Sequence, residues 1–235
     1  MSIHLIFDLL ALLSGIFVSA WFRKKYGLKR PIGIIQSSQY DYYLITLLVG
    51  LIGGSVILGT LNIYLAGYQG VAKSMLGGIF GAIVAAEIFK YFSNIRQSTG
   101  LYFIPGLLIL IIVGRVGCFL AGLDDFTYGV ETSVPWGVNF GDDIKRHPVQ
   151  LYESLTMFIF LIILLIRYPK NPLFWQRHGF YLFVGVYAGQ RFIWEFLKPY
   201  PYLWANFNLF HLLSFLLILY ALWMLTRKQS SPLTD

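Results

Sequence analysis

The 235-residue chain is 57% hydrophobic and 18% aromatic, only 12% of its residues are charged, and its mean hydropathy is +0.66. A water-soluble core cannot absorb that much apolar surface, so the composition predicts a polytopic membrane protein with a single domain, residues 1–235. The formal net charge of +7 does not indicate nucleic acid, because the basic residues cluster at the ends of apolar runs and not among exposed aromatics.

Seven apolar runs are long enough to cross a bilayer, which takes about 20 helical residues. The first run is followed, not preceded, by basic residues, and no small-residue cleavage site is evident, so we expect it to be retained. The sequence therefore predicts an all-α membrane protein with seven transmembrane helices. In chain order the runs lie near residues 3–22, 42–65, 75–92, 102–122, 149–166, 179–197 and 206–226.

The basic residues outside these runs predict the orientation of the chain. Twelve of them fall in the first, third and fifth loops and the C-terminal tail, whereas the second, fourth and sixth loops hold four. The positive-inside rule then places the N-terminus outside and the C-terminus in the cytoplasm. Residues 123–147 form the one long extracytoplasmic loop in this arrangement, and this loop could cover a site on the outer face.

Four ionisable residues in the apolar runs converge on one outer-facing region. At about 1.5 Å of rise per residue, Arg115 and Arg191 each lie roughly 18 Å from the predicted cytoplasmic end of their helix. Glu195 is one turn beyond Arg191 on the same face, and Glu153 lies roughly 7–8 Å below the outer surface. An unpaired charge in hydrocarbon costs at least about 2.5–3.5 kcal/mol. We therefore predict a polar site in the outer half of the membrane, although a self-neutralising Arg191–Glu195 pair is the simpler alternative.

The stretch RHPVQLYE, residues 146–153, combines a helix start with a titratable pair. Pro148 suits the first helical position, and Gln150 suits a capping box, so helix initiation alone explains these two residues equally well. His147 and Glu153 indicate more, because titratable side chains at a membrane boundary can bind or move a proton.

Cys118 is the only cysteine, which excludes an internal disulfide and a cysteine-rich metal site. It lies one turn after Arg115, whose charge would favour a nucleophilic thiolate. Alternatively, Gly114, Cys118 and Ala121 form a ridge of small residues for close helix packing. No histidine is close in sequence to act as its base, and nothing in the sequence implies a metal or an organic cofactor.

The blocks GRVGCFLAG, RHPVQLYE and RFIWEF, in this order and spacing, resemble the family of prolipoprotein diacylglyceryl transferases. The resemblance implies an enzyme of the bacterial cell membrane that moves the diacylglyceryl group of phosphatidylglycerol to the thiol of a lipobox cysteine in a preprolipoprotein. Glycerol phosphate is the expected leaving group. Another anionic phospholipid or a related acceptor would be compatible with the same site.

The resemblance also implies roles for individual residues. The candidate catalytic residues are His147, Glu153 and Glu195. Cys118 is a possible nucleophile only because of its position beside Arg115, and not because of the resemblance. The two arginines would hold the lipid phosphate through parallel hydrogen bonds, for which a guanidinium is well suited. The candidate substrate-binding residues are Arg115, Arg191, Gly129, Arg146, Gln150 and Tyr152.

Three positions depart from the family pattern, and in addition the first apolar run lacks the expected tyrosine. Cys118 replaces the family's asparagine, Leu76 replaces the histidine of an HGG block, and Ser55 replaces the arginine of a GGR block. These changes remove an amide, a proton-accepting imidazole and a cation, while the arginines of the phosphate site are retained. A phospholipid-binding or transport protein of the same fold, without catalysis, is therefore the alternative prediction.

Overall fold

The computed structural model describes residues 3–28 and 35–227, and this part of the chain is mainly helical. Two two-residue strands, β1 (Val138–Asn139) and β2 (Lys145–Arg146), pair antiparallel within the long loop. Three ranges lie outside the described residues, namely 1–2, 29–34 and 228–235. The basic residues in these ranges that were counted in the orientation prediction are therefore not described either. The helices are α1 (Ile3–Tyr26), α2 (Tyr40–Leu65), α3 (Met75–Phe92), α4 (Ile104–Ala121), α5 (Val149–Arg167), α6 (Pro172–Glu195) and α7 (Leu209–Thr226).

Each predicted apolar run coincides with one of these helices, which confirms the all-α membrane architecture. Within the described ranges, six helical segments are long and apolar enough to cross a membrane; they correspond to α1 to α5 and α7. Helix α6 is long enough, but it is more polar and largely enclosed by the other helices. Its passage through the membrane, the seventh span and the orientation of the termini stay predictions.

Two helix starts differ from the predicted ones because polar capping residues set them. Helix α6 begins at Pro172, seven residues before the predicted run, and the Asn171 side chain accepts a hydrogen bond from the Phe174 amide at 3.1 Å. Helix α7 begins after Asn208, whose side chain accepts from the His211 amide at 3.0 Å. A search for apolar runs misses such starts, since caps are polar by nature.

Helices α2 and α3 pack through their backbones. A Cβ on Gly54 would lie 2.8 Å from the Cα of Gly81, and one on Gly50 would lie 2.5 Å from its carbonyl oxygen. The small-residue ridge predicted on α3 is therefore a close-packing surface. The corresponding ridge predicted on α4 is wrong at Gly114, where a Cβ would have no heavy atom within 4 Å; α4 instead approaches α1 closely at Gly117.

The apolar core lies among α3 to α7, with one end of α1 packed against it. Its members are fully or almost fully buried and come from every layer, for example Phe22, Ile79, Leu108, Met157, Phe183 and Leu217. Large apolar side chains on α1 and α2 point outward, as lipid-facing helices require.

The loop between α4 and α5 is attached to the segment that follows α6. The Val130 amide donates to the Leu197 carbonyl at 2.7 Å, and the Tyr200 hydroxyl donates to the Phe126 carbonyl at 3.0 Å. The C-terminal ends of α4 and α6 and the N-terminal ends of α5 and α7 therefore meet under this loop.

Candidate active site

The centre of this region is the carboxylate of Glu153 on α5, which is completely buried. Cations from three chain segments contact it. The Nε of Arg115 on α4 lies 2.6 Å from Oε2, and the Nζ of Lys198, beyond α6, lies 2.8 Å from Oε1. Arg191 on α6 also donates to Oε1 through Nη1. The two arginines that the sequence placed at one depth therefore meet at one carboxylate.

A second buried carboxylate, Glu195, holds the other side of Arg191. Its Oε2 lies 2.8 Å from Arg191 Nη2, which confirms the pairing predicted from their spacing. Its Oε1 accepts a hydrogen bond from Asn208 Nδ2 at 3.1 Å, and Asn208 is in turn bonded to His211 in the cap of α7. Arg191 is thus fixed from both sides.

Lys198 and Asn208 are members of the site that the sequence did not identify. A basic residue just beyond a predicted span is usually a topological anchor, and Lys198 was counted in that way. Its position three residues after Glu195 was the available signal, because residues at this spacing share a helical face. Burial lowers the pKa of Lys198 to about 8, and the neighbouring Arg191 acts in the same direction.

These five ionic groups, namely Arg115, Arg191, Lys198, Glu153 and Glu195, carry three positive charges against two negative ones. Asp125 adds a negative charge at greater distance, in the less buried turn after α4. An excess charge in a buried site is costly unless a counter-ion compensates for it. The cluster is therefore suited to receive an anion.

Several buried polar atoms in the described part of these helices have no hydrogen-bond partner. On α5 they are both amide atoms of Gln150, and on α6 they include both amide atoms of Gln190, the hydroxyl of Tyr187 and Nε of Arg191. Buried polar atoms are almost always hydrogen-bonded in native proteins. Their concentration beside the ionic cluster indicates that a polar ligand or ordered water completes this region.

Two glycines leave space next to the arginines. A Cβ on Gly114, adjacent to Arg115, or on Gly189, two residues before Arg191, would have no heavy atom within 4 Å. Arg115 is also the less buried arginine, with 11% of its side chain exposed against 3% for Arg191. Its ion pair uses Nε, so the outer edge of its guanidinium, Nη1 and Nη2, is the part best placed to receive a ligand.

A separate aromatic cluster surrounds the candidate base His147. Its Nδ1 lies 3.2 Å from the hydroxyl of Tyr152, which also accepts a hydrogen bond from Trp136 Nε1 at 2.7 Å. The Tyr152 ring packs on Trp194, with centroids 5.2 Å apart. His147 is half-buried, whereas Glu153 is enclosed by cations, so His147 is the more accessible of the two proposed proton acceptors.

Gly129 positions the same histidine. Its amide donates to the His147 carbonyl at 3.0 Å, and a Cβ on Gly129 would lie 2.6 Å from the Cβ of His147. No larger residue fits at this distance, so the glycine is required by the approach of two backbone segments. The structure gives this reason for a residue that the resemblance had assigned only to substrate binding.

Arg146 lies apart from the ionic cluster. Both of its terminal nitrogens lie 2.7 Å from the carboxylate of Asp142, and its guanidinium stacks over Tyr128 at 5.2 Å. The hydrogen bond from Arg146 lowers the pKa of Asp142. Arg146 is thus paired with Asp142 and not with Glu153, although Arg146 and Glu153 belong to the same sequence block.

The three residues that replace the family's residues lie in three different surroundings. Cys118 Sγ lies 4.0 Å from Arg115 Nη1. Leu76 is buried in the apolar core, and Ser55 accepts a hydrogen bond from the Ser74 amide at 3.2 Å where α3 begins. Across the described residues, no group of three or more His, Cys, Asp or Glu side chains could hold a metal ion.

The fold and the site together define the class: an all-helical, multi-pass membrane protein with a buried, cation-rich polar site between its helices. The family model described as prolipoprotein diacylglyceryl transferase matches residues 6–227. The chain therefore belongs to this family of transferases and is a multi-pass protein of the bacterial cell membrane.

Three relatives carry the name phosphatidylglycerol–prolipoprotein diacylglyceryl transferase. The protein of Aliarcobacter butzleri is 30% identical over an alignment of 214 positions, which covers 80% of this chain and 73% of the relative. That of Wolbachia pipientis from Culex pipiens is 28% identical over an alignment of 230 positions, which covers 89% of this chain and 85% of the relative. That of a Campylobacter jejuni strain is 29% identical over an alignment of 242 positions, gaps included, which covers 91% of this chain and 84% of the relative.

Proposed function

We propose that this protein transfers the diacylglyceryl group of phosphatidylglycerol to the thiol of a lipobox cysteine in a preprolipoprotein. The observation that carries the proposal is the buried cluster in which three cations outnumber two carboxylates beside unpartnered polar atoms. The family and the names of the relatives support the same reaction, and they do not favour a lipid-binding or transport protein without catalysis.

Arg115 is the main phosphate ligand in this proposal. Its Nε is engaged with Glu153, so Nη1 and Nη2 can form two parallel hydrogen bonds with phosphate oxygens. Arg191 and Lys198 add positive charge behind it. Glu153 and Glu195 then act as positioning residues, because each fixes a cation and neither has an open approach for a thiol.

The chemistry follows from where charge develops. The acceptor sulfur attacks the glyceryl carbon that bears the phosphate, a C–S bond forms, and the C–O bond to the phosphate breaks. The electron pair leaves with glycerol phosphate, whose growing negative charge the arginines stabilise. The thiol proton passes to His147. Backbone contacts with Gly129 hold this histidine beside Tyr152.

We propose that α6 also crosses the membrane, which gives seven spans, and that the N-terminus lies outside. In this arrangement the site opens to the outer leaflet. Basic residues at the opposite end of the bundle support this orientation. Because α6 is enclosed by other helices, its polar residues need not meet lipid. Tyr152 would contact the acceptor peptide at the rim, and Gln150 would reach the lipid head group.

The reaction is tested with purified protein, labelled phosphatidylglycerol and a lipobox peptide. We expect a thioether-linked diacylglyceryl peptide and an equal amount of glycerol phosphate. The matched control is the same peptide with serine in place of its cysteine, which should give neither product. Absence of peptide modification and of phospholipid consumption in the cysteine reaction would contradict the proposal.

A further inference from the structure

A groove between α3 and α7 lies at the end of the bundle opposite to the ionic cluster. Helix α7 starts beside the cluster at Asn208 and runs for 18 residues, so its last turn lies roughly 27 Å away. The groove has a volume of ≈ 1010 Å³ and shares no lining residue with the cluster. It is therefore a different site from the one proposed for the transfer reaction.

The walls of the groove are apolar and open to the membrane. Val84 and Ile88 line it from α3, and Leu216 and Trp223 line it from α7; all four side chains are exposed. An exposed apolar surface of a membrane protein contacts hydrocarbon. Where that surface is also concave, it can hold an acyl chain in a fixed place.

Charge is confined to the end of the groove away from the ionic cluster. Lys90, Arg96 and Arg227 line it there, and Arg227 stacks over Trp223 at 5.4 Å. The one acidic residue among the described lining residues is Glu87, whose Oε1 lies 2.8 Å from Lys90 Nζ. The two arginines therefore leave an excess of two positive charges at this end.

Glu87 also joins the two walls of the groove. The same Oε1 accepts a hydrogen bond from the hydroxyl of Tyr220 on α7 at 2.8 Å. This contact fixes the spacing of α3 and α7 at the floor of the groove, so the opening above it is part of the folded structure. A ligand can enter without separating the helices.

We propose that this groove binds one anionic phospholipid from the leaflet opposite to the substrate site. Its phosphate would lie between Arg96 and Arg227, and its acyl chains would follow α3 and α7 toward the middle of the membrane. The ligand must be anionic at one end and apolar along the rest, which matches the distribution of charge in the groove. A purely apolar helix of a partner protein would bring no anion to the two arginines.

Native mass spectrometry of delipidated protein titrated with phosphatidylglycerol tests this proposal. We expect two lipid adducts on the wild type, one at the ionic cluster and one in the groove. The double variant Arg96→Gln, Arg227→Gln should weaken the second adduct by about tenfold, because each cation near a membrane surface contributes to attraction of an anionic lipid. Both side chains are exposed, so the double variant should fold normally.

The matched control is Arg167→Gln with Lys170→Gln, which removes two exposed cations from the same end of the bundle but outside the groove. It should retain both adducts. Equal loss in the control, or no loss in the groove variant, would overturn the proposal. Failure of the transfer reaction is distinguishable, since the groove adduct would still depend on Arg96 and Arg227 in a protein without transferase activity.

A second measurement locates the lipid. Phosphatidylglycerol with brominated acyl chains should quench Trp223, measured as the difference between wild type and Trp223→Phe. The double arginine variant should lose most of this difference at low lipid concentration. Quenching of Trp223 that is unchanged in the double arginine variant would contradict a bound lipid. A dimer that forms through the groove and excludes the lipid would contradict it as well.

Discussion

Helices in two regions of this protein meet in opposite ways. Helices α2 and α3 approach through glycines until their backbones touch, without any ionic contact at Gly50, Gly54 or Gly81. Helices α4, α5 and α6 meet at Glu153, where three cations converge on a buried carboxylate. The first region gains stability from dispersion attraction between the closely packed surfaces of α2 and α3. The second region buries charges, which stabilise a fold less well than apolar packing would, so we expect these charges to serve ligand binding.

Removal of the central carboxylate should have the largest effect. Glu153→Gln leaves three buried cations facing a neutral side chain, so we expect stability to fall by about 3–5 kcal/mol, as when one partner of a buried ion pair is lost. Thermal unfolding in detergent measures the change. Gln150→Ala on the same helix is the control and should cost much less, because neither of its amide atoms has a partner. Near-equal unfolding temperatures would show that the cations are not held by Glu153.

The comparison of Arg115→Lys with Cys118→Ala separates phosphate binding from thiol chemistry. Lysine keeps the charge but loses the planar fork, so we expect a loss of about 1.5–3 kcal/mol, or roughly tenfold to a hundredfold in activity. Alanine at Cys118 should change activity little, since it nearly fills the same space. Initial rates of glycerol phosphate release give both values. The reverse pattern would identify Cys118 as the nucleophile and Arg115 as its activating cation.

The glycine contact can be tested with two adjacent residues of α2. Gly54→Ala places a methyl group against the backbone of α3 and should destabilise the protein by about 1–3 kcal/mol. In Gly53→Ala the added methyl group has no heavy atom within 4 Å, so this substitution should be neutral or stabilise the protein by up to about 1 kcal/mol. Thermal unfolding of the two variants in the same detergent compares them. Equal effects would contradict the backbone contact between α2 and α3.

The smallest expected effect concerns pH. Lys198 has a pKa of about 8 because of burial, so it loses its positive charge as the pH rises above that value. Affinity for phosphatidylglycerol at the ionic cluster should therefore fall by up to about tenfold between pH 7 and 9. Lys198→Arg keeps its charge throughout this range and should remove the dependence. A wild type as insensitive to pH as the arginine variant would exclude Lys198 from the phosphate site.

The predicted parts of the site are those that the surrounding sequence makes conspicuous. Arg115 and Arg191 stand out because each interrupts an apolar run, and Glu195 follows from helical spacing. Lys198 and Asn208 were not identified, since a cation or an amide beyond a helix end has an ordinary explanation. Arg146 was grouped with Glu153 because they share a sequence block, but Arg146 lies in β2, before α5 begins, and its side chain pairs with Asp142.

The sequence alone determined the helices, the membrane environment and the presence of charges that need partners, because apolar periodicity and the cost of buried charge act locally along the chain. Tertiary structure decided which charges meet. Four chain segments bring three cations and two carboxylates together, and hydrogen bonds from the loop after α4 add His147 at the edge. Those contacts join residues as far apart as Arg115 and Lys198, and no local pattern specifies the distance between two helices at a given level.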